Sequence, residues 1–191
     1  HIYPAGAIGL DSDPKLLEIS RNMIAAMHRW SDGNGFASWY AACARVGYDP
    51  ETILQKMRIE CDKHSYPNLV LTYGGGGIEN TAGFGAINEM LLQSYNGVIR
   101  VFPCWPKSQP ARFENLRGVG AFLVSSSIAD GVPGNVMIIS EKGRDCVVQN
   151  PWPEKKVQVT RANRAAEVVD GPRFTLKTSA GERILLKPAA E

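Results

Sequence analysis

The sequence predicts an α+β multidomain chain: a helical part over residues 1–97, then an antiparallel β-sandwich over residues 98–191. Three observations predict it. Apolar residues recur at helical intervals before Gly97 and in short β-rich runs after it. Two helix-start signals, Asp13-Pro14 and Asp49-Pro50, stand in the first half. The turn pairs Asp130-Gly131, Lys142-Gly143, Asp170-Gly171 and Ala180-Gly181 divide the second half.

Asp13 offers a capping carboxylate and Pro14 a preset φ at the first helical position. Leu16, Leu17, Ile19, Met23, Ile24 and Met27 then follow at helical spacing. Ser31-Asp32-Gly33-Asn34-Gly35 breaks that helix. A second, alanine-rich helix is predicted from Phe36 to Val46, with Gly47 just past its end. Asp49-Pro50-Glu51 opens a third, whose apolar positions are Ile53, Leu54, Met57 and Ile59. A fourth is predicted from Thr81 to Gln93, carrying Phe84, Ile87, Met90, Leu91 and Leu92. Val98 to Phe102 is β-rich and stops at a proline. Further strands are predicted at 120–128, 135–140, 146–149, 156–160, 166–169, 173–177 and 183–187. Short strands at this spacing indicate a sandwich.

Composition bounds the function. A chain of 191 residues with 44% hydrophobic and 21% charged residues is globular rather than disordered. With 21 basic and 19 acidic residues, the charge of +2 gives no footprint for nucleic acid or an anionic membrane surface. No apolar run approaches the ~20 residues of a membrane-spanning helix. No signal peptide is visible. The chain opens with His1-Ile2-Tyr3-Pro4 rather than methionine and is expected to be part of something longer, so the missing leader does not bear on secretion. Cys43, Cys61, Cys104 and Cys146 form no CxxC pair. Cys43 and Cys146 sit in apolar patterns and are expected to be buried thiols. Cys61 and His64 make the nearest metal-like pair, but a structural zinc needs four ligands, so neither metal nor cofactor is expected.

The most unusual stretch is GGGGIENTAGF, Gly74 to Phe84. Glycine inside an element costs about 0.5–1 kcal/mol relative to alanine. Four in a row ahead of Glu79 make either a flexible turn or a bare backbone that lets a ligand approach the carboxylate. Just ahead of the fourth helix, unpaired N–H groups and the helix dipole would keep Glu79 ionised. Trp30, Trp39, Tyr73 and Trp105 offer flat apolar rings for stacking on a sugar, or for core packing. Asp32 and Asn34 lie in a glycine-bracketed loop of the kind that carries binding groups or merely turns. No Gly-Lys-Ser/Thr follows the glycines, which excludes a phosphate loop.

Taken together, HIYPAGAIGLDSDPKLLEISRNM, GGGGIENTAGFGAINEMLLQS, NGVIRVFPCWPK, FENLRGVGAFLVS and EKGRDCVVQNPW resemble the C-terminal portion of glycoside hydrolase family 95, the inverting α-L-fucosidases. The likeness extends from residue 1 to about residue 153. It implies that residues 1–97 are the last helices of an (α/α)6 barrel and that residues 98–191 are the C-terminal β-domain. It implies a carbohydrate substrate with terminal α-L-fucosyl or α-L-galactosyl residues. The family's general acid and its asparagines precede the His-Leu-Tyr-Pro motif, so the upstream part of the protein would supply them. Glu79 matches the family aspartate that supports water activation, with one methylene more. His1 matches the motif histidine, and His1, Asn80, Trp30 and Tyr73 are the expected substrate contacts. A periplasmic or extracellular location follows from the resemblance alone. The alternative is a non-catalytic carbohydrate-binding or structural module of the same fold.

Overall fold

A computed structural model describes residues 1–36, 38–68, 70–71, 78–162 and 164–189, with the side chains of 33–34 and 78–82 left out. The chain divides into two compact units. One is His1–Leu91 with Pro103–Trp105, and the other is Leu92–Phe102 with Pro106–Glu191.

The first unit is helical. α1 spans Pro14–Met27 and starts where Asp13 accepts the Lys15 N–H at 2.8 Å. It buries Leu17, Ser20 and Ile24 and stops at His28, which adopts a left-handed φ of 50°. A 3-10 turn, Arg29–Ser31, and the single-turn α2, Gly33–Phe36, occupy the predicted break. α3 spans Trp39–Arg45 rather than starting at Phe36, because the Gly35 N–H bonds to the Asp32 carboxylate at 3.1 Å and closes a separate turn. α4 spans Pro50–His64 behind the Asp49 cap, whose carboxylate accepts the Thr52 N–H at 2.8 Å. α5 spans Ile78–Leu91 and so begins three residues earlier than predicted. The predicted helix end at Leu92–Gln93 is instead a strand, held by pairing with 100–101. Ile24, Phe36, Tyr40, Cys43, Ile53 and Met90 form the buried centre, joined by Ile2 from the N-terminal segment.

The second unit holds two mostly antiparallel sheets. Its strands are β1 (Leu92–Gln93), β2 (Val98–Val101), β3 (Ala111–Gly118), β4 (Phe122–Ala129), β5 (Val132–Pro133), β6 (Val136–Ser140), β7 (Cys146–Gln149), β8 (Val157–Arg161), β9 (Arg164–Val169), β10 (Arg173–Leu176) and β11 (Glu182–Pro188). One sheet runs β1-β2-β7-β10, with β2 and β7 parallel. The other runs β3-β4-β6-β11-β8-β9, with β5 paired to β4. Strict alternation in β4 and β6 buries Phe122, Val124, Val136 and Ile138, so one face of this sheet builds a core, as in a sandwich. β3 escaped the sequence reading for a physical reason. Its apolar residues Phe113 and Leu116 are three apart because a bulge falls between them, with Asn115 at a φ of 54°. The period-2 signal is lost there.

Among the described residues, no helix is long and apolar enough to cross a membrane. Among them, too, no three His, Cys, Asp or Glu residues gather as metal ligands.

Candidate functional site

The helical unit holds the expected site, and α5 sets its geometry. Position 79 is the second residue of α5, inside the first turn rather than ahead of it. Four residues on, a Cβ at Gly83 would meet Phe36 Cε1 at 3.2 Å, so α5 touches α2 there. Helical periodicity aligns positions 79, 83, 86 and 90, and Ala86 and Met90 are fully buried. The backbone of Glu79 therefore stands one turn beyond the contact with Phe36. The side chains of Glu79 and Asn80 lie outside the described residues. So do Tyr73 and the glycine run, within 72–77.

Below that contact lies an aromatic cluster. Trp30 is 8% exposed, and its ring centroid lies 6.1 Å from Trp39, 5.7 Å from Tyr40 and 5.8 Å from Tyr48. Phe36 lies 5.1 Å from Tyr40, whose hydroxyl donates to the Trp30 carbonyl at 2.8 Å. Trp30 is thus a core residue. The Arg29 guanidinium lies 5.8 Å from the Trp39 ring centroid and pairs with Asp32. The Trp39 indole N–H is buried and has no hydrogen-bond partner among the described residues. Trp105 packs against the same core.

Glu60 was missed by the sequence reading. It is 4% exposed and accepts a hydrogen bond from Ser31 Oγ at 2.9 Å, while His64 Nε2 lies 3.5 Å from its other oxygen. A signal was present: Glu60 continues the buried positions Ile53 and Met57 at helical spacing, and an acid on a core face needs a partner.

His1 is exposed, and its carbonyl accepts the N–H groups of Ala7 at 2.9 Å and Ile8 at 3.2 Å. The segment that carries it is tied to the helices by Arg45. That guanidinium donates to Glu89 at 3.0 and 2.8 Å and to the Pro4 carbonyl at 3.3 Å, and its centre lies 4.9 Å from the Tyr3 ring. His1 and position 79 thus belong to segments that Arg45 and Glu89 link, through α3 and α5.

Burial favours the protonated form of the thiols in this unit. Burial pushes Cys43 well above the usual thiol range and Cys104 up to about 12. Burial, then Asp62 and Glu60, push Cys61 up as well. Among the described residues, the unit offers the first turn of α5, which carries position 79 one turn beyond Phe36 and its aromatic cluster. No family model matches the chain, and no curated protein matches it.

Proposed function

We propose that the helical unit is the glycan-facing part of an inverting glycoside hydrolase like those of family 95, acting on terminal α-L-fucosyl or α-L-galactosyl residues. Glu79 orients or activates the attacking water. In this reading the helices belong to an (α/α)6 barrel and the β-unit is its C-terminal domain. Exported location, periplasmic or extracellular, belongs to the same reading.

One observation carries it. The acid that follows the glycine run occupies the first turn of α5, on the side that meets Phe36 one turn later. A helix N-terminus favours negative charge, which is the form a base or water-positioner needs. Inversion also needs a general acid about 6.5–9.5 Å away. The reading assigns that acid to no residue of this chain. His1 and Asn80 are the proposed polar contacts to the sugar and Tyr73 the proposed stacking ring, while Trp30 supports the wall from behind.

The test is Glu79→Gln in the active protein. We expect turnover to fall by about 10²–10⁴-fold, with the melting temperature within about 2 °C of wild type, because the exchange keeps the shape of the side chain and removes only its charge. Turnover equal to wild type removes Glu79 from the mechanism.

A second reading, a carbohydrate-binding or structural module, is favoured by the structural engagement of five other carboxylates. Asp13 and Asp49 cap helices, Asp32 pairs with Arg29, Glu60 accepts from Ser31, and Glu89 pairs with Arg45. We therefore expect these 191 residues alone to release no fucose from a fucosylated oligosaccharide. Release detected by chromatography would reject that reading in favour of a complete catalytic site.

A further inference from the structure

Residues 1–13 precede α1 and form no helix or strand of their own, yet they carry His1. Two anchors hold them. Ile2 is 8% exposed and joins the buried centre of the helical unit. Arg45, the last residue of α3, is the second anchor. Its guanidinium lies 4.9 Å from the Tyr3 ring centroid and donates to the Pro4 carbonyl at 3.3 Å. The same group donates to both carboxylate oxygens of Glu89 on α5, at 3.0 and 2.8 Å, and its side chain is 11% exposed. The segment also closes on itself. The Ile2 carbonyl accepts the Gly6 N–H at 2.9 Å, and the His1 carbonyl accepts those of Ala7 and Ile8 at 2.9 and 3.2 Å.

One guanidinium thus joins the N-terminal segment, α3 and α5. Its donors lie in one plane at fixed angles, so the pair with Glu89 dictates how the group meets Tyr3 and Pro4. Lysine would keep the charge and lose that fork. Glu89 stands about 15 Å along α5 from position 79, at the helical rise per residue. We propose that Arg45 is a positioning residue. It holds the segment that carries His1 in a fixed place against α5, the helix whose first turn carries Glu79. The kinetic side of the inference rests on the reading in which His1 contacts the sugar and Glu79 acts on the water. In that reading His1 grips the sugar equally before and during reaction, so loosening its segment weakens binding and spares the chemical step.

Two measurements test it, one of them independent of activity. Amide hydrogen exchange is followed by NMR in the whole 191-residue chain and in Arg45→Lys. Exchange at Gly6, Ala7 and Ile8 should rise by about tenfold in the variant while amides inside α4 stay level, because only the N-terminal segment is released. Tyr3→Leu leaves the Arg45–Glu89 pair in place and should shift the same three amides in the same direction, which keeps the test open if Arg45→Lys does not fold. Unchanged exchange at those amides in both variants overturns the proposal, whether or not the protein cleaves fucosides. The second measurement is kinetic, in the active protein with 4-nitrophenyl α-L-fucoside. Arg45→Lys should raise KM by about tenfold with kcat within about twofold of wild type. Added to His1→Ala it should raise KM no further, because Arg45 acts through His1. Additive losses, or a fall in kcat at unchanged KM, overturn the proposal. Glu79→Gln, measured alongside, reports on the hydrolase reading separately, since its expected effect falls on kcat.

Discussion

Gly83 and Gly85 flank Phe84 on α5 and make a paired test of how tightly that helix is seated. A methyl group at Gly83 would press on Phe36 at 3.2 Å, whereas one at Gly85 would meet none of the described residues within 4 Å. Phe36 is fully buried and has little room to yield. Replacing a helical glycine by alanine gains about 0.5–1 kcal/mol where space allows, and overpacking costs about 1–3 kcal/mol where it does not. Gly85→Ala is therefore expected to raise the urea midpoint and Gly83→Ala to lower it. Equal gains from both would mean that α5 does not abut Phe36, and the placement of position 79 would lose its anchor. The same contact explains why glycine stands there. A side chain at 83 would push away the turn that carries Glu79. By contrast Phe84, 73% exposed, makes no comparable demand.

Helices α3 and α5 are joined by the pair Arg45–Glu89, whose side chains are mostly shielded and which makes two hydrogen bonds, at 3.0 and 2.8 Å. Bidentate geometry makes it stronger than an exposed ion pair. Breaking a shielded pair leaves one charge without compensation. Glu89→Gln is expected to cost about 2–4 kcal/mol, below the upper range for fully buried pairs. A double-mutant cycle with Arg45→Met measures the coupling. Coupling within error of zero would show that tertiary packing alone holds the N-terminal segment. The β-unit shows how an element can hide from its own sequence. In β3 the bulge after Phe113 puts Asn115 in a left-handed conformation, and the Asn115 N–H finds Ser125 Oγ at 2.9 Å on the neighbouring strand. The pairing partner compensates for a pattern that no local periodicity would identify. β4, β6, β7 and β11 lack such a break, and their alternation was legible from residue order.

Across both units, the buried thiols tie stability to pH. Cys104 and Cys146 are held protonated by burial, with pKa values pushed up to about 12 from 9.0, and Cys43 is shifted in the same direction. Once unfolded, these thiols ionise near pH 9, so between pH 9 and about 12 the unfolded chain binds fewer protons than the folded one. Their contribution is intact below pH 9 and is lost as pH rises through that window. Each thiol adds a slope of about 1.4 kcal/mol per pH unit. Urea midpoints at pH 8.0, ~9.5 and ~10.5 should fall accordingly, and Cys146→Ala should flatten the part due to the β-unit. A midpoint that stays level to about pH 10.5 would mean that the thiols are not shielded.

The order of helices then strands, the starts at Asp13-Pro14 and Asp49-Pro50, and the burial of Cys43 and Cys146 were all readable in the chain. They depend on capping and periodicity, which act over a few neighbours. So did the conspicuous acid after the glycine run, because backbone freedom is a local property of glycine. The pairing of Glu60 with Ser31 and the grip of Arg45 on Glu89 became visible only in three dimensions. The two pairs are separated by 29 and 44 residues. Partners that distant meet through the packing of whole helices and strands, and nothing in either neighbourhood alone announces the other.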